Sequence, residues 1–134
     1  MKEASRQHHA IVFIRIFLGA TMLIHGVARI HAGAVEPFGG FLTAQGLPLG
    51  FYVAWAITIF EIAGGIVLAA GLFVPVVALI FAVQLIAGIV LVHAKDGWFV
   101  VGLGRNGMEY SALLIVSFLA VAFAHYETER RRRF

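Results

Sequence analysis

The chain has no cysteine among its 134 residues. That excludes disulfides, thiolate nucleophiles, cysteine-held iron–sulfur clusters and thiol relays. Any redox role must therefore use a bound small molecule or a partner protein. Charge is scarce as well, at 13% of residues against 61% hydrophobic. A soluble chain carries roughly 25% charged residues, so this one has too little polar surface to cover a water-facing globule. Lipid must be the solvent for most of it. The length allows a single domain, 1–134. The net charge is +3, but the basic residues form no face, and four of the ten are Arg130, Arg131, Arg132 and Arg133. A terminal basic cluster beside an apolar segment anchors a helix to anionic lipid head groups. No nucleic-acid partner is expected.

The apolar runs predict four helices, at about 10–30, 51–72, 75–94 and 108–125. From Ile62 to Ala94 there is no Asp, Glu, Lys or Arg. That run is too long for one crossing of about 20 residues. It must turn at Gly71-Leu72-Phe73-Val74-Pro75, where glycine ends one helix and proline suits the first turn of the next. An open strand edge cannot survive in lipid, so the spans must be helices. The expected fold is all-α, an integral membrane four-helix transmembrane bundle. Lys2, Arg6 and the C-terminal arginines put both termini on one side; the loops 31–50 and 95–107 carry only Lys95 and Arg105, with Arg29 at a boundary. Positive charge marks the cytoplasmic side. Both termini are therefore expected in the cytoplasm and both long loops outside. A signal peptide cleaved at Ala32-Gly33-Ala34 fits poorly, because the first apolar run exceeds the usual 7–15 residues of such a region and contains Arg15 and His25.

Glu61 sits near the middle of the second span, where an ionised carboxylate must be paired or functional. The expected partner is Arg15, in a structural ion pair that locks helix one to helix two and that could also line a site. Helix one carries a stripe of Arg15, Gly19, Met22, Gly26 and Arg29, with His25 at its flank. Its glycines, like Gly64 and Gly65 beside Glu61, let another helix approach closely. Tight packing with snorkelling by Arg29 explains this stripe, and so does a cavity wall carrying His25 and Arg29.

Towards the outer face, His25 and Arg29, His93 at the end of helix three and Glu109 at the start of helix four form a candidate ligand site together with Glu61. His25, His31 and His93 lack any tight ligand spacing, so no metal site is expected. Asn106 and Glu109 also fit a helix-capping pair. Gly102-Leu103-Gly104-Arg105-Asn106-Gly107 matches G-x-G-x-x-G, but between membrane helices it reads as a turn, not a dinucleotide site. Trp98 with Phe99, and Trp55 with Tyr52, fit an aromatic belt at the outer interface. Gln84 is expected to hydrogen-bond across a helix interface.

The pattern resembles the DoxX family of small four-helix bacterial and archaeal membrane proteins. The pieces that carry the resemblance are Arg15 with Gly19, His25-Gly26, Arg29, Phe38 and Phe41 leading to Gly46-Leu47-Pro48, and Glu61 with Gly64-Gly65. Gly71-Leu72-Phe73, His93 before Gly97-Trp98-Phe99, and Gly107 to Tyr110 complete it, over residues 11–122. Two departures stand out: Arg29 replaces a frequent lysine, and the tail lacks the Gly-Pro-Gly turn of many members. The resemblance implies quinone-dependent sulfur oxidation, quinol oxidase complexes or oxidative-stress assemblies, all in a cytoplasmic (inner) membrane.

Two functional readings follow. The first is a quinone-binding subunit of a membrane redox complex. His25, Arg29, Glu61, His93 and Glu109 would hold the quinone, and a partner protein would handle the electrons. The second is a non-catalytic scaffold or small-molecule carrier that recruits a partner protein. Catalysis, and association with a second copy of the chain, are left open by the sequence.

Overall fold

Thirty residues of continuous helix, α1, run from Lys2 to His31 in a computed structural model that describes the backbone of residues 2–133 and the side chains of residues 3–126. A short helix follows, α2 (Val35–Ala44), then α3 (Gly50–Ala70), α4 (Val74–Gly88) and α5 (Glu109–Arg133). Helix α4 continues as one wide π turn, Ile89–His93, and a tight 3-10 turn, Ala94–Asp96. Among the described residues, four stretches are long and apolar enough to cross a membrane: Glu3–His31, Gly50–Ala70, Val74–Asp96 and Glu109–Tyr126. The protein is an all-α, four-helix transmembrane protein.

The helix ends follow from local chemistry. Gly33 adopts φ 63°, with its N–H donating to Ile30 and that of Ala34 to Arg29, and this ends α1. The same pairing ends α3 at Gly71, φ 82°, whose N–H reaches Leu68 while Leu72 reaches Val67. With Pro75 in the first turn of α4, the 71–75 turn falls where the sequence predicts it.

Three boundaries differ from the expectation. Helix α1 begins at Lys2 rather than near Ala10, because the polar start of the chain contains good helix formers. The loop 31–50 contains α2, which two glycines and a proline disguise in the sequence. Its contacts with α3 explain it. A Cβ on Gly39 would lie 2.8 Å from the Phe51 Cα, so the α2 backbone rests directly on the start of α3. The third span reaches Asp96 by changing its helical pitch.

Packing divides the described residues into two units. The first, Ile16–Leu72, holds the rest of α1 with α2 and α3. Here Leu18, Gly19, Met22 and Gly26 of α1 are buried, as are Ala54, Thr58, Glu61, Gly65 and Leu68 of α3. A Cβ on Gly19 would lie 2.5 Å from the Gly65 carbonyl oxygen, and one on Gly65 would lie 2.5 Å from that of Gly19. Gly26 lies against Thr58 in the same way, so the two helices run antiparallel with their backbones touching. Large apolar side chains such as Phe17, Ile24, Ile59 and Ile66 point outward. Small residues inside and bulky ones outside is the pattern of helices packed in lipid.

The second unit joins the chain up to Arg15 with everything from Phe73 onward. Val77, Phe81 and Ala82 of α4 are buried, as are Leu114, Phe118 and Val121 of α5. The rings of Phe81 and Phe118 stack with centroids 5.2 Å apart. Arg15 donates to His125 Nε2 at 3.0 Å, and His125 Nδ1–H donates to the Val121 carbonyl at 2.9 Å. The carbonyl only accepts and the guanidinium only donates, which defines the tautomer of His125. The lipid-anchoring role expected of Arg130 to Arg133 rests on side chains outside the described residues.

Candidate functional site

The polar centre of the first unit is built on Glu61. Its side chain is only 4% exposed, and Arg29 grips it with both terminal guanidinium nitrogens, Nη1 on Oε2 and Nη2 on Oε1. Nη1 also donates to Thr58 Oγ1 at 3.0 Å, while the Thr58 hydroxyl donates to the Ala54 carbonyl at 2.7 Å. The ring of Phe38, from α2, lies under the guanidinium with its centroid 4.8 Å from Cζ. All three helices of the unit therefore meet at Arg29.

The sequence points to Arg15 as a partner for Glu61; the structure shows Arg29 on that carboxylate. The reason lies in helix geometry. Side chains lean toward the N-terminus of their own helix. In the antiparallel pair, Arg29 leans back toward the level of Gly26, and Gly26 faces Thr58. Glu61 leans toward Thr58 from the other helix, so the two side chains converge. Arg15 belongs to the other unit, where it donates to His125. Thr58 was not foreseen, nor was the contact of Phe38 with Arg29. Thr58 was discoverable, since it lies three residues before Glu61 on the small-residue face of α3. The sequence marks Phe38 only as part of the family pattern, because its place under Arg29 depends on where α2 packs.

A guanidinium offers five N–H donors. Glu61 and Thr58 take three of them. Among the described residues no acceptor meets Nε–H or the remaining Nη2 hydrogen, and these two lie side by side as a second fork. The Arg29 side chain is 20% exposed.

The other expected site residues have different surroundings. His25 is exposed, off the packed face that carries Met22 and Gly26. His93 and Glu109 belong to the second unit, and both hold the loop 97–108. His93 Nδ1–H donates to the Asn106 carbonyl at 2.9 Å. Glu109 Oε1 accepts the backbone N–H of Val100 at 2.8 Å and of Val101 at 2.7 Å. This differs from the expected capping pair with Asn106: the carboxylate clasps the loop instead of its own helix start. Among the described residues no group of three or more His, Cys, Asp or Glu is placed to hold a metal ion.

The sequence profile of the DoxX family matches residues 10–94, a stretch that contains Arg29, Phe38, Thr58 and Glu61. This chain belongs to the DoxX family. Among curated proteins it is similar to one from Bacillus subtilis (strain 168) named "Putative oxidoreductase CatD", with 26% identity over 117 residues. The match covers 86% of this chain and 80% of that protein. No solved structure matches the chain.

Proposed function

We propose that this DoxX protein is a quinone-binding subunit of a membrane redox complex, with the head group held at Arg29. The observation that carries the reading is the open fork of Arg29, fixed on a buried carboxylate inside a membrane span. A quinone oxygen is an acceptor that such a fork suits, in a lipid-side setting where quinones reside. Thr58 and Glu61 orient the guanidinium, and Phe38 covers one of its faces. Glu61, joined to Arg29, is the group able to hold or release a proton beside the ligand. A quinone bound there would supply the redox chemistry, taking up two electrons and two protons. The chain has no cysteine for an iron–sulfur cluster, so a partner protein would carry the electrons. The name of the Bacillus relative accords with redox work.

Titration of the detergent-purified protein with a short-chain quinone analogue tests this. Arg29→Lys should weaken binding roughly tenfold or more, since charge-assisted hydrogen bonds are worth about 1.5–3 kcal/mol. The paired change Arg29→Gln with Glu61→Gln, which leaves no stranded charge, should abolish it. Equal affinity in all three proteins would exclude Arg29 as the site.

A specific observation favours the scaffold or carrier reading as the alternative. Glu109 and His93, both candidates for ligand contact, are engaged with the protein's own loop. Under that reading no quinone binds or co-purifies, and the polar groups serve to hold the helices and loops that recruit a partner. Both readings place the protein in a bacterial or archaeal inner membrane with its termini in the cytoplasm. Pairing Arg29 with Glu61 strengthens that orientation, because it removes Arg29 from the charges free to bias the outer side.

A further inference from the structure

The loop 97–108 connects the last turn of one membrane-crossing stretch, ending at Asp96, to the first turn of the next, beginning at Glu109. It is therefore held at a membrane boundary at both ends. Its base is rigid. Met108 N–H donates to Gly97 at 3.0 Å, Glu109 N–H to Trp98 at 2.9 Å and Gly107 N–H to Phe99 at 3.2 Å. Glu109 adds its two carboxylate contacts to Val100 and Val101. A Cβ on Gly107 would lie 2.5 Å from the Trp98 carbonyl oxygen, so the two limbs touch backbone to backbone.

What this base carries is apolar and unburied. Val101 is 78% exposed, Leu103 64% and Trp98 52%. A tip meant only for water has no reason to present valine and leucine in that way. Around it, Lys95 and Arg105 are exposed cations, and Asp96 is the acid beside them.

We propose that this loop is a bilayer anchor: Val101 and Leu103 enter the head-group and acyl boundary, with Trp98 at the same interface and Lys95 and Arg105 on anionic head groups. The occupant is lipid, not a protein, on two grounds. The loop starts and ends at membrane level, and its cation-flanked apolar tip complements an anionic bilayer surface. Trp at an interface is the familiar part. The new element is a clasped tip that inserts, with Glu109 as the residue that shapes it. The inference does not depend on quinone binding.

Because the chain lacks cysteine, single labels can be placed without background. Val101→Cys and Leu103→Cys proteins would carry an environment-sensitive fluorophore in nanodiscs containing phosphatidylglycerol. Blue-shifted emission, quenched by lipids bearing a nitroxide high on the acyl chain, is the expected result. In a Glu109→Ala background, which frees the loop amides, quenching should fall while the helical circular dichroism is kept. Water-like emission at both positions, with no quenching by nitroxide lipid, would overturn the proposal and leave the tip to a soluble protein partner. Quenching unchanged by Glu109→Ala would remove Glu109 from it.

Discussion

Arg29 is the residue on which the first unit converges, and its replacement should be felt in stability before it is felt in function. Truncating it takes the gripping guanidinium away from the buried Glu61 carboxylate, and breaking a buried pair in this way costs roughly 3–5 kcal/mol. The partial exposure of Arg29 places the expected loss toward the lower end. Glu61→Gln removes the buried charge. We therefore expect Arg29→Met with Glu61→Gln to melt at a higher temperature in detergent than Arg29→Met alone. A double variant no more stable than that single would show that the pair does not carry the energy ascribed to it. Glu61 was legible in the sequence as a residue in need of a partner because a carboxylate in mid-membrane demands an explanation. The grip of Arg29 was not, because it rests on the register of α1 against α3, and register is a tertiary property.

At the level of the helices, glycine sets that register. The contact of Gly19 with Gly65 joins backbone to backbone, and a carbonyl oxygen cannot rotate away as a side chain can. Gly19→Ala or Gly65→Ala should force α1 and α3 apart and lower the melting temperature, with Arg29 losing its hold on Glu61. Gly88→Ala is the internal comparison. Nothing lies within 4 Å of a Cβ there, and its backbone is right-handed helical. Alanine is the better helix former by about 1 kcal/mol, so this variant should be neutral or more stable. If the three alanine variants melt alike, close packing at Gly19 and Gly65 is not what holds the helices. The sequence shows these glycines as a stripe. It does not show which glycine meets which, and the same blindness hides α2, whose glycines disfavour helix until α3 is there to pack against.

For the molecule as a whole, orientation in the membrane decides from which side each site is reached. The basic-residue asymmetry predicts that a reporter fused after Phe134 and one inserted within 95–107 will report opposite sides, the first cytoplasmic. A C-terminal reporter found outside would invert the map, and with it the side on which the proposed quinone site and the loop anchor are reached. The outer loop would then meet the cytoplasmic leaflet.

Composition alone determined that this protein lives in lipid, and helix-breaking residues determined where its chain turns. Both are local or additive properties: transfer of apolar side chains from water, and the backbone freedom of glycine and proline. Family membership was equally legible, because it rests on the order and spacing of residues along the chain. Tertiary structure decided the rest. It paired Arg29 with Glu61, set Thr58 and Phe38 around them, turned Glu109 inward onto a loop and left His25 exposed. Each of these depends on which faces of two helices meet and at what level. In a membrane that choice is made by close packing of small residues and by the few polar groups that must find one another, since lipid surrounds every helix alike.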